Sequence, residues 1–294
     1  MRRSLRTLMG RLVLYLPNKP YLYIFYWKHT GKRLQLKNPQ LFSHKIMWLK
    51  LHGHLERFAP YADKYTVREY VERAIGKKYL IPLIGVWDKF DDIPFDELPE
   101  QFVLKVSNGC GYNFICKDKS KIDHKKAKTT IEGWQHENFY LQEREMQYKP
   151  SKARIICERY LEDDSGGLRD YKIHCTKGVP QYVQVDVDRF VNHQSEVRDL
   201  KWRKTYHQAF GDFGGISKAV KRPKNFKQML ELAAKLAAPF PYVRVDLYTL
   251  GDKIYFGELT FTPGSGIVEQ QPIEGELDFG RMIDLDAYAA PLEI

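Results

Sequence analysis

The chain has 294 residues, of which 43% are hydrophobic and 14% aromatic, so it can form one large or two to three smaller packed units. This composition excludes an intrinsically disordered protein. The sequence contains no Cys-x-x-Cys pair and no Cys/His spacing that is typical of a zinc site. Its four cysteines are therefore predicted to be buried apolar residues in a reducing compartment: Cys110, Cys116, Cys157 and Cys175.

The formal net charge of +10 comes from the start of the chain. Residues 1–57 contain 12 Lys or Arg and one acid, whereas the remainder contains 35 Lys or Arg and 36 Asp or Glu. Aromatic residues are interleaved with these basic ones, which suits contact with an anionic membrane surface. The alternative is a solvated basic face that the aromatics pack onto the core. No nucleic-acid partner is expected.

Residues 1–27 are apolar in places, but arginines and prolines interrupt them. Because a run of about 20 apolar residues is missing, neither a spanning helix nor a signal peptide is predicted. The protein is therefore expected in the cytoplasm, with possible attachment to the inner membrane face.

In chain order, amphipathic and alternating patterns predict both helices and strands. The predicted helices are 63–76, 225–238 and a short one within 275–294. The predicted strands are 79–87, 102–106, 112–117, 154–161, 170–176, 181–188 and the two arms of a last hairpin around 250–253. This order predicts an α+β protein with mostly antiparallel sheets in two lobes.

The last hairpin contains two acids whose relative position depends on the length of its loop. A three-residue loop, 251–253, would place Asp246 across from Glu258 and Arg244 across from Thr260. Two facing carboxylates repel each other but can hold Mg²⁺, and an arginine beside them can bind a phosphate. The alternative is a solvated face with an ordinary Arg–Asp pair.

Lys105 lies inside an apolar strand, just before the Gly-containing loop 107–111. A lysine in that position needs a partner, and phosphate is a good one, because glycines let backbone N–H groups approach it. The loop is not a Walker A motif, and a strand-edge lysine that reaches solvent is the alternative. Lys64 is predicted to begin a helix, where the dipole does not favour a cation.

Glu158 follows an apolar strand and precedes Tyr160-Leu161, so this segment could pass an adenine ring and read its edge through the backbone. Asp170 and Lys172 share one face of the first hairpin, where they could bind a ribose hydroxyl and a phosphate. The alternative for each is a surface charge on a hairpin.

Taken in order, these pieces resemble the ATP-grasp superfamily, and within it the TupA-like family of cell-surface polysaccharide (teichuronopeptide-type) biosynthesis. The resemblance covers about residues 38–266. It rests on ADKYTVREYV (62–71), YLIPLIGVWD (79–88), FDELPEQFVLKVSNGCG (95–111), ICERYL (156–161), DYKIHCTKG (170–178), YVRVDLY (242–248) and KIYFGELTFTPGSG (253–266).

The resemblance implies an ATP-grasp fold whose two lobes clasp ATP and Mg²⁺. It also implies three domains: a basic aromatic N-terminal segment, 1–60, a first lobe with the Gly loop, 61–157, and a second lobe with the metal site, 158–294. The implied ATP contacts are Lys64, Lys105, Ser107, Asn108, Gly109, Gly111, Glu158, Tyr160, Leu161, Asp170 and Lys172.

The same resemblance implies that Asp246 and Glu258 ligate Mg²⁺. Thr260 stands where the superfamily usually has Asn, and a hydroxyl is a weaker ligand. Arg244, with Lys105 and Lys172, would stabilise charge on the transferred phosphate. Ser265 and Gly266 would lie at the acceptor, as the similar loop does in D-alanine–D-alanine ligase. The long segment 185–215 is expected to select the acceptor, through Asp186, Asp188, Arg189, Arg198, Trp202 and Arg203.

The implied activity is ADP-forming carboxylate–amine ligation through an acyl phosphate, joining an amine or amino acid to a uronic acid of a surface glycan such as capsule or O-antigen. A sugar kinase with the same ATP apparatus is a second hypothesis. A non-enzymatic module that binds membrane or polyanion through residues 1–57 is the third.

Overall fold

The computed structural model describes residues 13–137, 139–162, 169–187, 193–207, 216 and 220–290. Within these ranges the α-helices are α1 (Asn18–Thr30), α2 (Phe42–His52), α3 (Ala59–Ala62), α4 (Val67–Ala74), α5 (His124–His136), α6 (Phe139–Glu143), α7 (Phe226–Ala237) and α8 (Ile273–Arg281). The strands are β1 (Leu83–Trp87), β2 (Phe102–Val106), β3 (Asn113–Cys116), β4 (Ile155–Arg159), β5 (Asp170–Thr176), β6 (Val179–Val187), β7 (Gln194–Arg198), β8 (Tyr242–Leu250) and β9 (Lys253–Thr260).

The strands form two antiparallel sheets. The first has the order β1-β4-β2-β3 and the second has the order β7-β6-β5-β8-β9. The α+β prediction with mostly antiparallel sheets is thus confirmed. The domain boundaries stay a prediction, and β4 spans the one at 157/158.

Each sheet has its own apolar core. Val106, Ile155 and the inner face of α5 pack together beneath the first sheet. The core of the second sheet contains α7, because Met229, Leu232, Ala233 and Leu236 lie at helical spacing on its buried face. Helix α2 also contributes Phe42, Ile46 and Leu49 to this second core. Part of the basic N-terminal segment is therefore built into the fold.

Several predicted elements are shorter than the pattern indicated. The helix predicted at 63–76 begins at Val67, because the Asp63 carboxylate accepts hydrogen bonds from the backbone N–H groups of Tyr65 and Thr66 in a turn before it. The strand predicted at 79–87 begins at Leu83, directly after Pro82. Cys110 is exposed, so its predicted burial is wrong; Cys116, Cys157 and Cys175 are buried.

The last hairpin has the predicted pairing but not the predicted loop. Its loop has two residues, since Leu250 pairs with Lys253, and this register alone would place the two acids on opposite faces. A β-bulge shifts the register between Asp246 and Leu247, so that Leu247 pairs with Phe256 while Asp246 pairs with Glu258. Gly257 makes the bulge possible, because a Cβ there would lie 2.9 Å from the Tyr248 ring.

None of the described helices is both long and apolar enough to cross a bilayer.

Candidate active site

A cleft lies between the two sheets. The first sheet and its Gly loop form one wall, and β5, β8 and β9 form the other. Charged side chains dominate its lining: Lys64, Arg68, Lys105, Glu158, Asp170, Asp246 and Glu258. Seven residues of the predicted ATP and metal sets therefore line one cleft: Lys64, Lys105, Gly111, Glu158, Asp170, Asp246 and Glu258.

Arg244 stands between the two acids of the last hairpin. Its Nε and Nη2 atoms donate to both oxygens of the Asp246 carboxylate at 2.7 and 2.6 Å, and Nη2 lies 3.4 Å from Glu258 Oε1. Nη2 also donates to Thr260 Oγ1 at 3.0 Å. Asp246 is only 2% exposed, so the alternative of a solvated Arg–Asp face is wrong.

The carboxyl of Asp246 is poorly solvated. Its burial raises its pKa to about 7, although Arg244 and Lys172 oppose the rise. Burial alone would lower the pKa of Arg244, but Asp246 and Glu258 raise it, so the guanidinium stays charged. The arrangement is a buried cation held against two acids.

Lys172 is a second buried cation on the same face of the sheet. Its Nζ atom forms ion pairs with Asp170, with Asp186 at 2.8 Å and with Asp246 at 4.0 Å. Burial would lower the pKa of Lys172, but the three carboxylates raise it overall. The predicted ribose contact and the predicted phosphate contact, Asp170 and Lys172, are thus bonded to each other. Asp186 was expected in the acceptor segment but lies in this cluster.

On the opposite wall, Lys105 and Arg68 share one acid. Lys105 Nζ lies 2.6 Å from Glu158 Oε2, and Arg68 Nη1 lies 3.0 Å from Glu158 Oε1. The strand pairing explains this proximity, since β2 and β4 are neighbours and Val103 pairs with Glu158. The partner of Lys105 in this structure is therefore a carboxylate that lines the same cleft.

The Gly loop, residues 107–111, is hydrogen-bonded to the turn that precedes α4. Lys64 lies in a turn before α4, not in the helix, and its Nζ atom donates to the carbonyl of Gly109 at 2.5 Å. Ser107 is buried and donates to Asp63 Oδ2 at 2.7 Å. Gly109 has a φ of 120°, and a Cβ there would lie 2.5 Å from the Tyr112 ring. Gly111 lines the cleft, and Asn108 is half-buried.

The predicted adenine segment follows β4 directly. Tyr160 and Leu161 are half-buried, and the Lys117 ammonium lies 5.4 Å from the centre of the Tyr160 ring. These residues do not line the cleft described above.

The predicted acceptor residues lie in different places. Ser265 and Gly266 form a tight turn after β9, and Ser265 Oγ donates to Glu143 Oε2 at 2.6 Å. Arg203 is paired with Asp199 at 2.6 Å and its side chain is 74% exposed, away from the cleft lining. Asp188 and Arg189 lie outside the described residues. Arg198 is paired with Glu196, and Trp202 packs on Phe226.

The sequence interpretation missed Arg68, Asn113, Tyr248 and Phe256 among the residues that line the cleft. Arg68 lies on α4, and the sequence analysis assigned it no role. Its contact with Glu158 joins residues 90 positions apart in the chain, which no local pattern reveals. Tyr248 and Phe256 lie two positions from Asp246 and Glu258 along β8 and β9, and the sequence analysis assigned them no role.

The acid pair fits a magnesium ion. Among the residues that the structure describes, no group of three or more His, Cys, Asp or Glu side chains forms an all-protein metal site. Mg²⁺ does not need one, because it is usually bound by one or two carboxylates together with phosphate oxygens and water. The Arg244 guanidinium already lies between Asp246 and Glu258, so a positive charge is accommodated there.

A model of the family described as TupA-like ATPgrasp matches residues 44–284, more than four fifths of the chain. The chain belongs to the TupA-like ATP-grasp family. The ATP-grasp fold expected from the sequence is confirmed, and the ATP-grasp family is one of ligases that use ATP with Mg²⁺.

Solved structures of D-alanine–D-alanine ligases are similar in shape at low sequence identity. The enzyme from Bacillus anthracis is 18% identical over 81% of this chain and 76% of its own, with a TM-score of 0.48. Its complex with ATP has a TM-score of 0.47 at 18% identity, covering 81% of this chain and 75% of that one.

The Helicobacter pylori enzyme is 13% identical over 76% of this chain and 61% of its own, with a TM-score of 0.41. This chain thus spans about three fifths of that ligase. No curated protein matches the sequence significantly. The assignment of this chain to the TupA-like ATP-grasp family therefore rests on the family match alone.

Proposed function

We propose that this TupA-like protein is an ADP-forming carboxylate–amine ligase that joins an amine or amino acid to a uronic acid of a surface glycan. The observation that carries the proposal is the charged cleft beside which Arg244 faces Asp246 and Glu258, with Lys105 on the opposite wall. Such a cleft stabilises the charge of a transferred phosphoryl group without a nucleophilic side chain.

In the proposed reaction, a carboxylate oxygen of the uronic acid attacks the γ-phosphorus of ATP. The bond from that phosphorus to the bridging oxygen breaks, and ADP leaves with the electron pair. The amine then attacks the carbonyl carbon of the acyl phosphate, inorganic phosphate leaves, and the amine loses a proton. The products are one amide, ADP and phosphate.

The residues of the cleft have separate proposed roles. Asp246 and Glu258, with Thr260 beside them, would hold Mg²⁺, which neutralises phosphate charge when bound. Arg244, Lys105 and Lys172 would act on the transferred phosphoryl group.

The remaining site residues would bind the nucleotide or the acceptor. The Gly loop and Lys64 would cover the phosphates, Glu158 to Leu161 would border the adenine, and Asp170 would bind the ribose. Ser265 and Gly266, with Arg189 and Arg203, would bind the acceptor.

The uronic acid is proposed for two reasons. A ligase that forms an acyl phosphate requires a carboxylate acceptor, and the TupA-like resemblance implies surface polysaccharides. Uronic acids are sugars that carry such a carboxylate.

Trapping with hydroxylamine separates this proposal from the sugar-kinase alternative, because only an acyl phosphate reacts to give a hydroxamate. With MgATP, hydroxylamine and a panel of free uronic acids, we expect hydroxamate and ADP in equal amounts. A phosphorylated sugar without hydroxamate would support the kinase. Formation of AMP and pyrophosphate would exclude both.

We also propose that helix α1 docks the enzyme on an anionic membrane. Four of its residues are buried against the protein, but the opposite face exposes Tyr23, Ile24 and Trp27 beside Lys19 and Lys28. A helix that is apolar on both faces, with lysines flanking the outer one, suits a bilayer interface. The charge of residues 1–57, 12 Lys or Arg against one acid, complements anionic headgroups.

Replacing both Ile24 and Trp27 by serine should abolish cosedimentation with phosphatidylcholine vesicles that contain phosphatidylserine. Wild-type binding should weaken in high salt, because screening removes the electrostatic part. Ile84→Ser is the matched control, since Ile84 and Ile24 are both 39% exposed. Equal binding by wild type and the double variant would contradict docking through α1.

A further inference from the structure

A buried lysine outside the ATP cleft lies on α2. Lys50 is 1% exposed, and its ammonium donates to the carbonyl of Glu143 at 2.7 Å. It also donates to the carbonyl of Ser265 at 2.8 Å and to Ser265 Oγ at 2.6 Å. An ammonium has three protons, so all of its donors are used in this cluster. Two of the three bonds go to a single residue of the turn that was assigned to the acceptor.

Two acids surround this lysine and the same turn. Ser265 Oγ donates to Glu143 Oε2 at 2.6 Å. Glu145 is buried, and burial raises its pKa to about 7 while burial lowers that of Lys50 to about 8. Gln147 Nε2 bridges Glu145 Oε2 at 3.2 Å and Thr262 Oγ1 at 2.8 Å. The cluster therefore holds the turn at Thr262 as well as at Ser265.

The turn itself needs such support. Gly264, Ser265 and Gly266 have φ values of 59°, 52° and 70°, all in the left-handed region. Serine has a Cβ and is unfavourable there, so surrounding contacts must hold it. Gly266 packs directly on α2, since a Cβ at that position would lie 3.0 Å from Ile46 Cγ2. The 264–266 turn therefore packs against helix α2.

Helix α2 is in turn fixed to the second half of the chain. The backbone N–H and the hydroxyl of Ser43 donate to Glu276 Oε2 at 2.9 and 2.7 Å. Glu276 Oε1 accepts from the backbone of Gln270 at 2.7 Å. The helix that carries Lys50 is therefore held at both of its ends.

We propose that Lys50 is a positioning residue of the acceptor site, which fixes the hydroxyl and the main chain of Ser265. The N-terminal helices then supply one wall of the acceptor site in addition to any membrane contact. This inference rests on the proposed function, in which the 262–266 turn binds the uronic acid.

The test compares Lys50→Met, Lys50→Arg and Lys45→Met with the wild type. Lys45 is the matched control on the same helix, because its Nζ atom donates to the Ile283 carbonyl at 2.7 Å, away from the turn. With D-glucuronate and hydroxylamine, we expect Lys50→Met to raise KM for glucuronate by about 10- to 100-fold, as a misplaced binding group does. In the same Lys50→Met variant, KM for MgATP should change by less than about twofold. Lys50→Arg should give an intermediate KM for glucuronate. Lys45→Met should have the KM values of the wild type.

If KM rises equally for glucuronate and for MgATP, or if KM for glucuronate is unchanged, Lys50 does not position the acceptor site. Where Lys50→Met does not fold, Lys50→Arg alone decides between a raised and an unchanged glucuronate KM. A second readout needs no acceptor: amide hydrogen exchange of 262–267 should be faster in Lys50→Met than in Lys45→Met. Faster exchange with no hydroxamate from any variant would sink the uronic-acid proposal but leave Lys50 as the residue that fixes the turn. Unchanged exchange would remove that role.

Discussion

Arg244→Met is expected to lower ligase turnover by roughly two to three orders of magnitude and to destabilise the protein strongly. The guanidinium makes two bonds to the Asp246 carboxylate, at 2.7 and 2.6 Å, and without it the cation left near this buried acid, among the described residues, is Lys172 at 4.0 Å. Removing one partner of a buried ion pair costs about 3–5 kcal/mol. Loss of a single donor to a charged transition state lowers kcat by about 10²- to 10³-fold. Urea unfolding and ADP release measure the two effects.

A double variant separates the structural effect from the catalytic one. Arg244→Met with Asp246→Asn removes the uncompensated charge, so most of the stability should return while turnover stays at least as low as in Arg244→Met. Arg281→Met is the control, because Arg281 pairs with Asp278 but its side chain is 73% exposed, and such a surface pair contributes about 0–1 kcal/mol. Turnover close to wild type in Arg244→Met would exclude this guanidinium from phosphoryl transfer.

The sequence predicted strand positions well where the side-chain alternation is strict. The strand at 102–106 and that at 170–176 have the predicted bounds, because alternate residues face a core and the register follows from that pattern. The pairing of Asp246 with Glu258 was also predicted, but through a loop length that is wrong. The bulge at Gly257 compensates, and one glycine in a strand does not reveal on its own which residue is bulged.

Local sequence patterns do not reveal contacts between residues that lie far apart in the chain. Lys105 was expected to need an anionic partner, and it has one, but the partner is Glu158 from a strand about fifty positions later. Nothing in the sequence predicts that Lys50 is buried, since a lysine among the twelve basic residues of 1–57 is ordinarily exposed. Its burial follows from the packing of α2 against the Ser265 turn, which depends on the whole fold.

Lys105→Met is expected to remove nucleotide binding while leaving the fold intact. Glu158 keeps its ion pair with Arg68 at 3.0 Å, so the loss of Lys105 does not leave that buried acid alone. In wild type, a Mg-ATP analogue at about 100 times Kd should stabilise the protein by about 2.7 kcal/mol. For a chain of this size, that corresponds to several degrees at roughly 2–4 °C per kcal/mol. Thermal unfolding with and without the analogue measures the shift.

Lys128→Met is the matched control in the same half of the chain, because Lys128 pairs with the exposed Asp91 and lies outside the cleft lining. It should shift as wild type does. Glu258→Ala should lose the part of the shift that depends on Mg²⁺ and keep any Mg²⁺-independent part, whereas Lys105→Met should lose both. If Lys105→Met shifts as fully as wild type, the Lys105–Glu158 pair is structural, and Lys64 and Arg68 are the cations of the cleft lining that are left to meet the phosphates. If the shift is lost in Lys105→Met and kept in Lys128→Met, the Lys105 ammonium binds the nucleotide. Its ion pair with Glu158 then holds it in position for ATP.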